Sequence, residues 1–174
     1  SLPLIKAIAS HILNSGGKRL RPLLVLLLAN HFNRHNIDEQ IELAAIIEFV
    51  HTATLLHDDV IDRSNLRRGQ LTANTLWGNH APILVGDYLY SRAFQLLASR
   101  HNHSVMQGLA RTTSILAEGE IMQMAQQNTL IDTNRYFDTI YRKTASLFET
   151  ATQSAAIIAN QPSSVITHCA ELGK

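Results

Sequence analysis

Apolar residues recur three and four positions apart along nearly the whole of this 174-residue chain, a spacing that only helices keep on one face. The four prolines, Pro3, Pro22, Pro82 and Pro162, fall only where that pattern starts or breaks. Pro22 and Pro82 suit the first turn of a helix, where a missing N–H costs no bond. The spacing predicts helices over 2–14, 20–34, 38–63, 80–99, 102–127, 133–160 and 163–173. Asp38, Thr133 and Ser163 are placed to act as N-caps. Short polar or glycine-bearing pieces separate the segments: Asn14–Lys18, His35–Ile37, Ser64–Asn79 and His101. No stretch alternates as a strand would, and neither an internal repeat nor a low-complexity tract occurs. The expected fold is all-α: one domain over residues 1–174, built from long, mostly antiparallel helices.

Composition narrows the function classes. A net charge of +1 creates no strong field for nucleic acid or for a membrane surface. The longest apolar run, Leu23–Ala29, is too short to cross a bilayer. The one cysteine, Cys169, excludes an internal disulfide and fits a reducing compartment or an indifferent one; the expected location is cytoplasmic. The nine histidines show no spacing that suggests zinc. Trp77 reads as packing, Asp87 as a buried hydrogen-bond acceptor, and His101 and His103 as solvated turn residues. Met106, Met122 and Met124 read as core filler or interface.

The 38–63 segment is oily nearly all round and should lie centrally. Glu48, His51, Asp58, Asp59 and Asp62 interrupt it, and polar groups placed there need partners. Asp58 and Asp62 lie one turn apart on one face, so they repel each other unless a cation stands between them. Magnesium takes oxygen ligands and is held by one or two carboxylates plus substrate phosphates. Asp59 points about 100° away, toward a supporting role or an arginine partner. Arg67 and Arg68 follow within a few residues and could each clamp a diphosphate. Gly16–Pro22, GGKRLRP, sets a glycine turn and Lys18, Arg19 and Arg21 just ahead of a helix start, which suits phosphate oxygens. Lys143–Thr144 lies inside a helix, where a lysine either snorkels or meets an anion. Each element alone also reads as a solvated charged surface.

Taken in order, GGKRLRP, HTATLLHDDVID, RRGQLTAN, VGDYLYSRAF, GEIMQM and YRKTASLFE resemble the trans-type polyprenyl (isoprenyl) diphosphate synthases. The likeness runs from about Gly16 to Ile158 and is strongest to octaprenyl diphosphate synthases of ubiquinone biosynthesis. It implies a helical bundle around a central cavity and a prenyltransferase that joins isopentenyl diphosphate to an allylic diphosphate with Mg2+. It implies that Asp58 and Asp62 bind magnesium with Asp59 in support. Arg67 and Lys143 would hold the allylic diphosphate with Thr144 nearby, and Lys18, Arg21, His51 and Arg68 the isopentenyl diphosphate. Gln123 would face the magnesium cavity, at a place where the family often has aspartate. Ala53 and Thr54, one turn before Asp58, would set chain length; both are small, which leaves a deep channel toward Phe49 and Ile46 and a product of about C35–C45, centred on C40. A homodimer is also implied, with 80–99 and 102–127 as its face.

The family carries a second DDxxD motif, whereas the aspartates after Asp62 (Asp87, Asp132 and Asp138) stand alone. The chain is therefore expected to be a fragment, incomplete at its C-terminal end and inactive alone. Three rivals remain at this point. One is a non-catalytic or regulatory subunit of a heteromeric prenyl synthase. Another is a helical HD-type metal phosphohydrolase built on His57–Asp58, with His51 nearby. The third is a terpene cyclase or head-to-head synthase.

Overall fold

The structure, a computed structural model, describes residues 3–32, 36–125 and 132–174. Nine α-helices occur among them, in the order α1 (Pro3–Asn14), α2 (Leu20–Phe32), α3 (Ile37–Ile61), α4 (Ala73–Trp77), α5 (His80–Arg100), α6 (His103–Ala125), α7 (Thr133–Ile140), α8 (Ser146–Ile158) and α9 (Ser163–Gly173). A π turn, Tyr141–Ala145, joins α7 to α8. The expected all-helical architecture holds. The expected segment ends at 2, 33–34 and 126–127 lie outside the described residues.

Helix α3 is the axis of the fold. It packs against α1, α2, α4, α5 and α8, and its buried residues run round the whole cylinder, from Gln40 and Leu43 to Leu56 and Asp59. A helix with apolar groups on every face has no single side to offer water, so it takes the centre. A larger apolar cluster joins α2, α3, α5, α6 and α8 through residues such as Val25, Ile47, Ala93, Leu109 and Leu147. A smaller one joins α1, α3, α4 and α5 through Ile8, Ala53, Leu56, Ala73 and Val85. Phe49 and Tyr90 pack against both clusters.

Three expected caps move. Asp132, not Thr133, caps α7, its Oδ1 accepting from Arg135 N at 2.9 Å. Asn36 takes the cap position of α3, leaving Asp38 in the first turn, and Pro162 takes that of α9, leaving Ser163 inside the helix. An acidic residue in the first turn still suits the positive end of the helix, so the sequence signal was shifted rather than absent.

The piece 64–79 is more ordered than its polar composition suggests. Leu66–Arg67 pairs antiparallel with Gln70–Leu71, and α4 follows at once. Two-residue strands are too short to show alternation. The turn between them is Arg68–Gly69, with φ of 51° and 79°. Two positive φ values in succession make the hairpin turn that matches strand twist. Gly69 adopts this freely, whereas Arg68 pays about 1 kcal/mol for it. A side chain kept at a strained position points to a task for that side chain.

Candidate functional site

Two cavities open on different faces of α3. The first, about 520 Å³, meets Glu48, His51, Thr52 and Leu55; the second, about 340 Å³, meets Thr54, His57, Asp58 and Ile61. Each set follows the i, i+3, i+4, i+7 pattern of one helix face, and the two faces lie about 120° apart.

The first cavity is basic. Lys18, Arg19, Arg21 and Arg68 line it, with Phe148 of α8 and leucines of α1 and α2 as its apolar part. The geometry depends on Gly17, whose φ is 139°. A Cβ there would lie 2.5 Å from Arg68 Nη1, so only glycine lets that guanidinium reach the glycine turn. Arg19, also at positive φ, donates from Nη2 to Leu13 O at 2.7 Å and so satisfies a carbonyl at the end of α1. The Arg21 guanidinium lies 4.1 Å from the Phe148 ring centre, and its Nη1 donates to His51 Nε2 at 3.2 Å.

An imidazole that accepts from a guanidinium must be neutral. Burial first, and then Arg21, Arg68 and Arg67, push His51 down to about 3 from its ordinary 6.5. The folded chain thus binds fewer protons at His51 than the unfolded chain does below pH 6.5. This group is without effect on stability above that value. Its contribution falls as pH drops from 6.5 toward 3, by up to roughly 1 kcal/mol per pH unit. Urea midpoints measured across that range should slope downward for the native chain and less steeply for His51→Gln. Equal slopes would show that His51 carries none of the acid sensitivity.

The second cavity combines carboxylates with apolar walls. Asp58, Glu120 and Lys143 sit beside Thr54, Tyr90, Thr113, Leu116 and Ala117. Burial, then Glu120, pushes Asp58 up to about 6; Asp62 adds to the rise, while Lys143 and Arg67 oppose it. Lys143 Nζ pairs with Glu120 Oε1 at 2.8 Å and also donates to Gln123 Oε1. The π turn presents this lysine. Gly119 lets α6 approach it, since a Cβ there would meet Arg142 Cβ at 2.8 Å and Lys143 Cγ at 3.3 Å.

Asp59 is 3% exposed and takes Arg67 on both oxygens, from Nε at 3.0 Å to each and from Nη2 to Oδ1 at 2.9 Å. The arginine partner expected for Asp59 is therefore Arg67, which fixes that guanidinium and leaves Nη1 for a ligand. Arg67 borders neither large cavity.

The structure brings Lys18, Arg21, His51 and Arg68 into one cavity, and Asp58, Lys143 and Thr54 into the other. Asp62 is exposed at the end of α3, and Thr144 is exposed beside Lys143. Ala53 is fully buried in the smaller apolar cluster and does not line the channel beside Thr54. Asp87 is corrected: its side chain is 63% exposed and lies 3.4 Å from His57 Nε2. The buried residues of α5, from Val85 to Leu97, put position 87 on the outer face. Glu48, Glu120 and Tyr90 were missed as site residues. Glu48 lies one turn before His51, and Glu120 one turn before Gln123, which is the signal that could have found them.

Among the described residues no group of three or more His, Cys, Asp and Glu side chains converges to hold a metal. His51 and His57 line different cavities, which removes the imidazole cluster that an HD-type hydrolase needs. No described helix is long and apolar enough to cross a membrane.

A family model described as polyprenyl synthetase matches residues 2–174. The chain is 45% identical over 159 residues to the octaprenyl diphosphate synthase of Haemophilus influenzae, covering 91% of this chain and 48% of that protein. It is 44% identical over 160 residues to the all-trans-nonaprenyl-diphosphate synthase (geranyl-diphosphate specific) of Rhodobacter capsulatus, covering 91% and 49%. The crystal structure of polyprenyl synthase from Caulobacter crescentus, complexed with calcium and isoprenyl diphosphate, superposes with a TM-score of 0.94 at 38% identity, over 99% of this chain and 53% of that one. The chain thus spans about half the length of the curated relatives it matches.

Proposed function

Since the chain belongs to the polyprenyl synthetase family, we propose that the whole protein is a trans-polyprenyl diphosphate synthase. It would join isopentenyl diphosphate head to tail to an allylic diphosphate, making a chain of about C35–C45, centred on C40, for quinone side chains. The observation that carries this reading is the pair of cavities on two faces of α3, one basic and free of aspartate, the other with carboxylates and apolar walls. A reaction between two diphosphates needs two unlike seats.

In this reading Lys18, Arg21 and Arg68 bind the isopentenyl diphosphate, and neutral His51 orients Arg21. Lys143 holds the allylic diphosphate from the cavity lining, and Arg67, gripped by Asp59 at Nε and Nη2 outside that lining, reaches it through Nη1. Carboxylate and hydroxyl oxygens of Asp58, Glu120, Thr54 and Tyr90 outnumber the one imidazole, His57, at the second cavity, and the crowded Asp58 carboxylate calls for positive charge, which fits Mg2+ on Asp58 with Asp62 one turn on. When bound, magnesium would neutralise negative charge developing on the leaving diphosphate. The allylic C1–O bond breaks, the isopentenyl double bond attacks C1, and a proton leaves the isopentenyl carbon next to the new cation. Tyr90, Leu116 and Ala117 exclude water, which would otherwise quench the cation. The growing chain would run past Thr54. A cytoplasmic homodimer joined through α5 and α6 completes the reading, supported by the exposed Leu84 and Tyr88 on α5.

The test is incorporation by the complete protein. Radiolabelled isopentenyl diphosphate, farnesyl diphosphate and magnesium chloride should yield labelled long-chain polyprenyl diphosphate, with loss of product on chelation. A protein that turns over only with a second subunit would favour the heteromeric reading instead.

A further inference from the structure

Glu48 does not fit a simple anion site. It lies on α3 in the basic cavity, yet its Oε2 is buried and has no hydrogen-bond partner. Arg21 across the same cavity has a buried Nε that is also unpartnered. Burial raises the Glu48 carboxyl above its usual range, against the pull of Arg19, Arg21 and Arg68. A carboxylate in a seat for a diphosphate weakens the pull on that anion, so its presence calls for another task.

Asp59, three turns further along α3, shows what such a task is. Asp59 grips Arg67 along the edge formed by Nε and Nη2, which fixes the guanidinium and frees Nη1. Arg21 is already held on two sides, by His51 at Nη1 and by the Phe148 ring at its face. Its Nε edge is the part left without a partner. Guanidinium groups bind anions most strongly when their N–H groups are fixed in a plane.

We propose that Glu48 is a positioning residue for the homoallylic diphosphate: when the diphosphate binds, the unpartnered carboxylate closes onto the unpartnered Nε edge of Arg21 and holds the remaining N–H groups toward the anion. The inference rests on the two-cavity reading above, and the opposite expectation is equally definite. If Glu48 only adds negative charge, its removal should strengthen diphosphate binding.

The experiment compares the complete protein with Glu48→Gln and Glu48→Asp. Glu48→Gln is expected to raise KM for isopentenyl diphosphate roughly tenfold, the loss of one charge-assisted hydrogen bond. KM for farnesyl diphosphate and Tm should stay unchanged, and Glu48→Asp should recover part of the loss. An unchanged or lower KM for isopentenyl diphosphate overturns the proposal. So does equal damage to both KM values with a lower Tm, the mark of a merely structural role. Calorimetry with inorganic diphosphate separates the two claims. If the native protein does not consume isopentenyl diphosphate, the synthase reading fails. Weaker diphosphate binding by Glu48→Gln would then still support the Glu48 assignment, and equal or tighter binding would end it.

Discussion

Asp58→Asn in the complete protein should lower kcat/KM for isopentenyl incorporation by about a thousandfold while leaving Tm equal or higher. The two effects share one cause. Asp58 is pushed up to about 6 by burial and by the carboxylates of Glu120 and Asp62. As a bare side chain it therefore works against the fold, and asparagine relieves that conflict at nearly constant shape. What the variant loses is an anionic oxygen for a cation between the helix and the leaving diphosphate. Functional groups that cost stability are a common trade. Labelled isopentenyl incorporation and thermal melting measure the two quantities. Near-native turnover by the variant would remove Asp58 from the metal site.

Thr54→Phe should shorten the product from about C40 to about C15–C20, because an aromatic ring there fills the channel one turn below Asp58. Thr54 lines the cavity directly, and a ring entering that open space should cost little stability. Ala53→Phe acts differently. Ala53 is sealed among Leu56, Ala73, Val85 and Leu89, so a phenyl ring there overpacks a core and costs about 1–3 kcal/mol. It reaches the channel only by displacing Tyr90, which packs against that cluster and also lines the cavity. Chromatography of the products with melting curves distinguishes the two. An unchanged ladder for Thr54→Phe would show that the chain does not grow past this position.

Much of the fold was legible because long helices repeat their spacing many times. Helix α3 announced its central place through apolar residues on every face and an interrupted polar set. What escaped was short. The hairpin at Leu66–Leu71 and the five-residue α4 offer too few residues for any period to show. In the site, Lys18, Arg21, His51 and Arg68 were legible because glycine turns and clustered cations are unusual neighbours. Asp59 and Arg67 were legible as a buried acid with an arginine close behind. Glu48 and Glu120 were legible only by their spacing from His51 and Gln123, because a single acid on a helix does not show what faces it from other helices. Those facings come from the packing of α2 and α6 against α3 and the π turn, which no local pattern records. Asp87 was misplaced for the converse reason: the helical period already put it outside.

The π turn between α7 and α8 has a geometric consequence for the whole 133–160 segment. A π turn holds one residue more than α geometry allows, so the helices on either side are out of phase by about 100°. Running the α8 stripe of Leu147, Ala151 and Ala155 back at 3.6 residues per turn lands on 143–144, 140 and 136–137. Yet Tyr136, Phe137 and Ile140 are exposed. The extra residue rotates one apolar stripe away from the other. At the point of rotation it leaves two cations side by side, Lys143 aimed at Glu120 and Arg142 at Glu118 and Asp138. A helical wheel drawn with one phase through this segment assigns the wrong face to half of it.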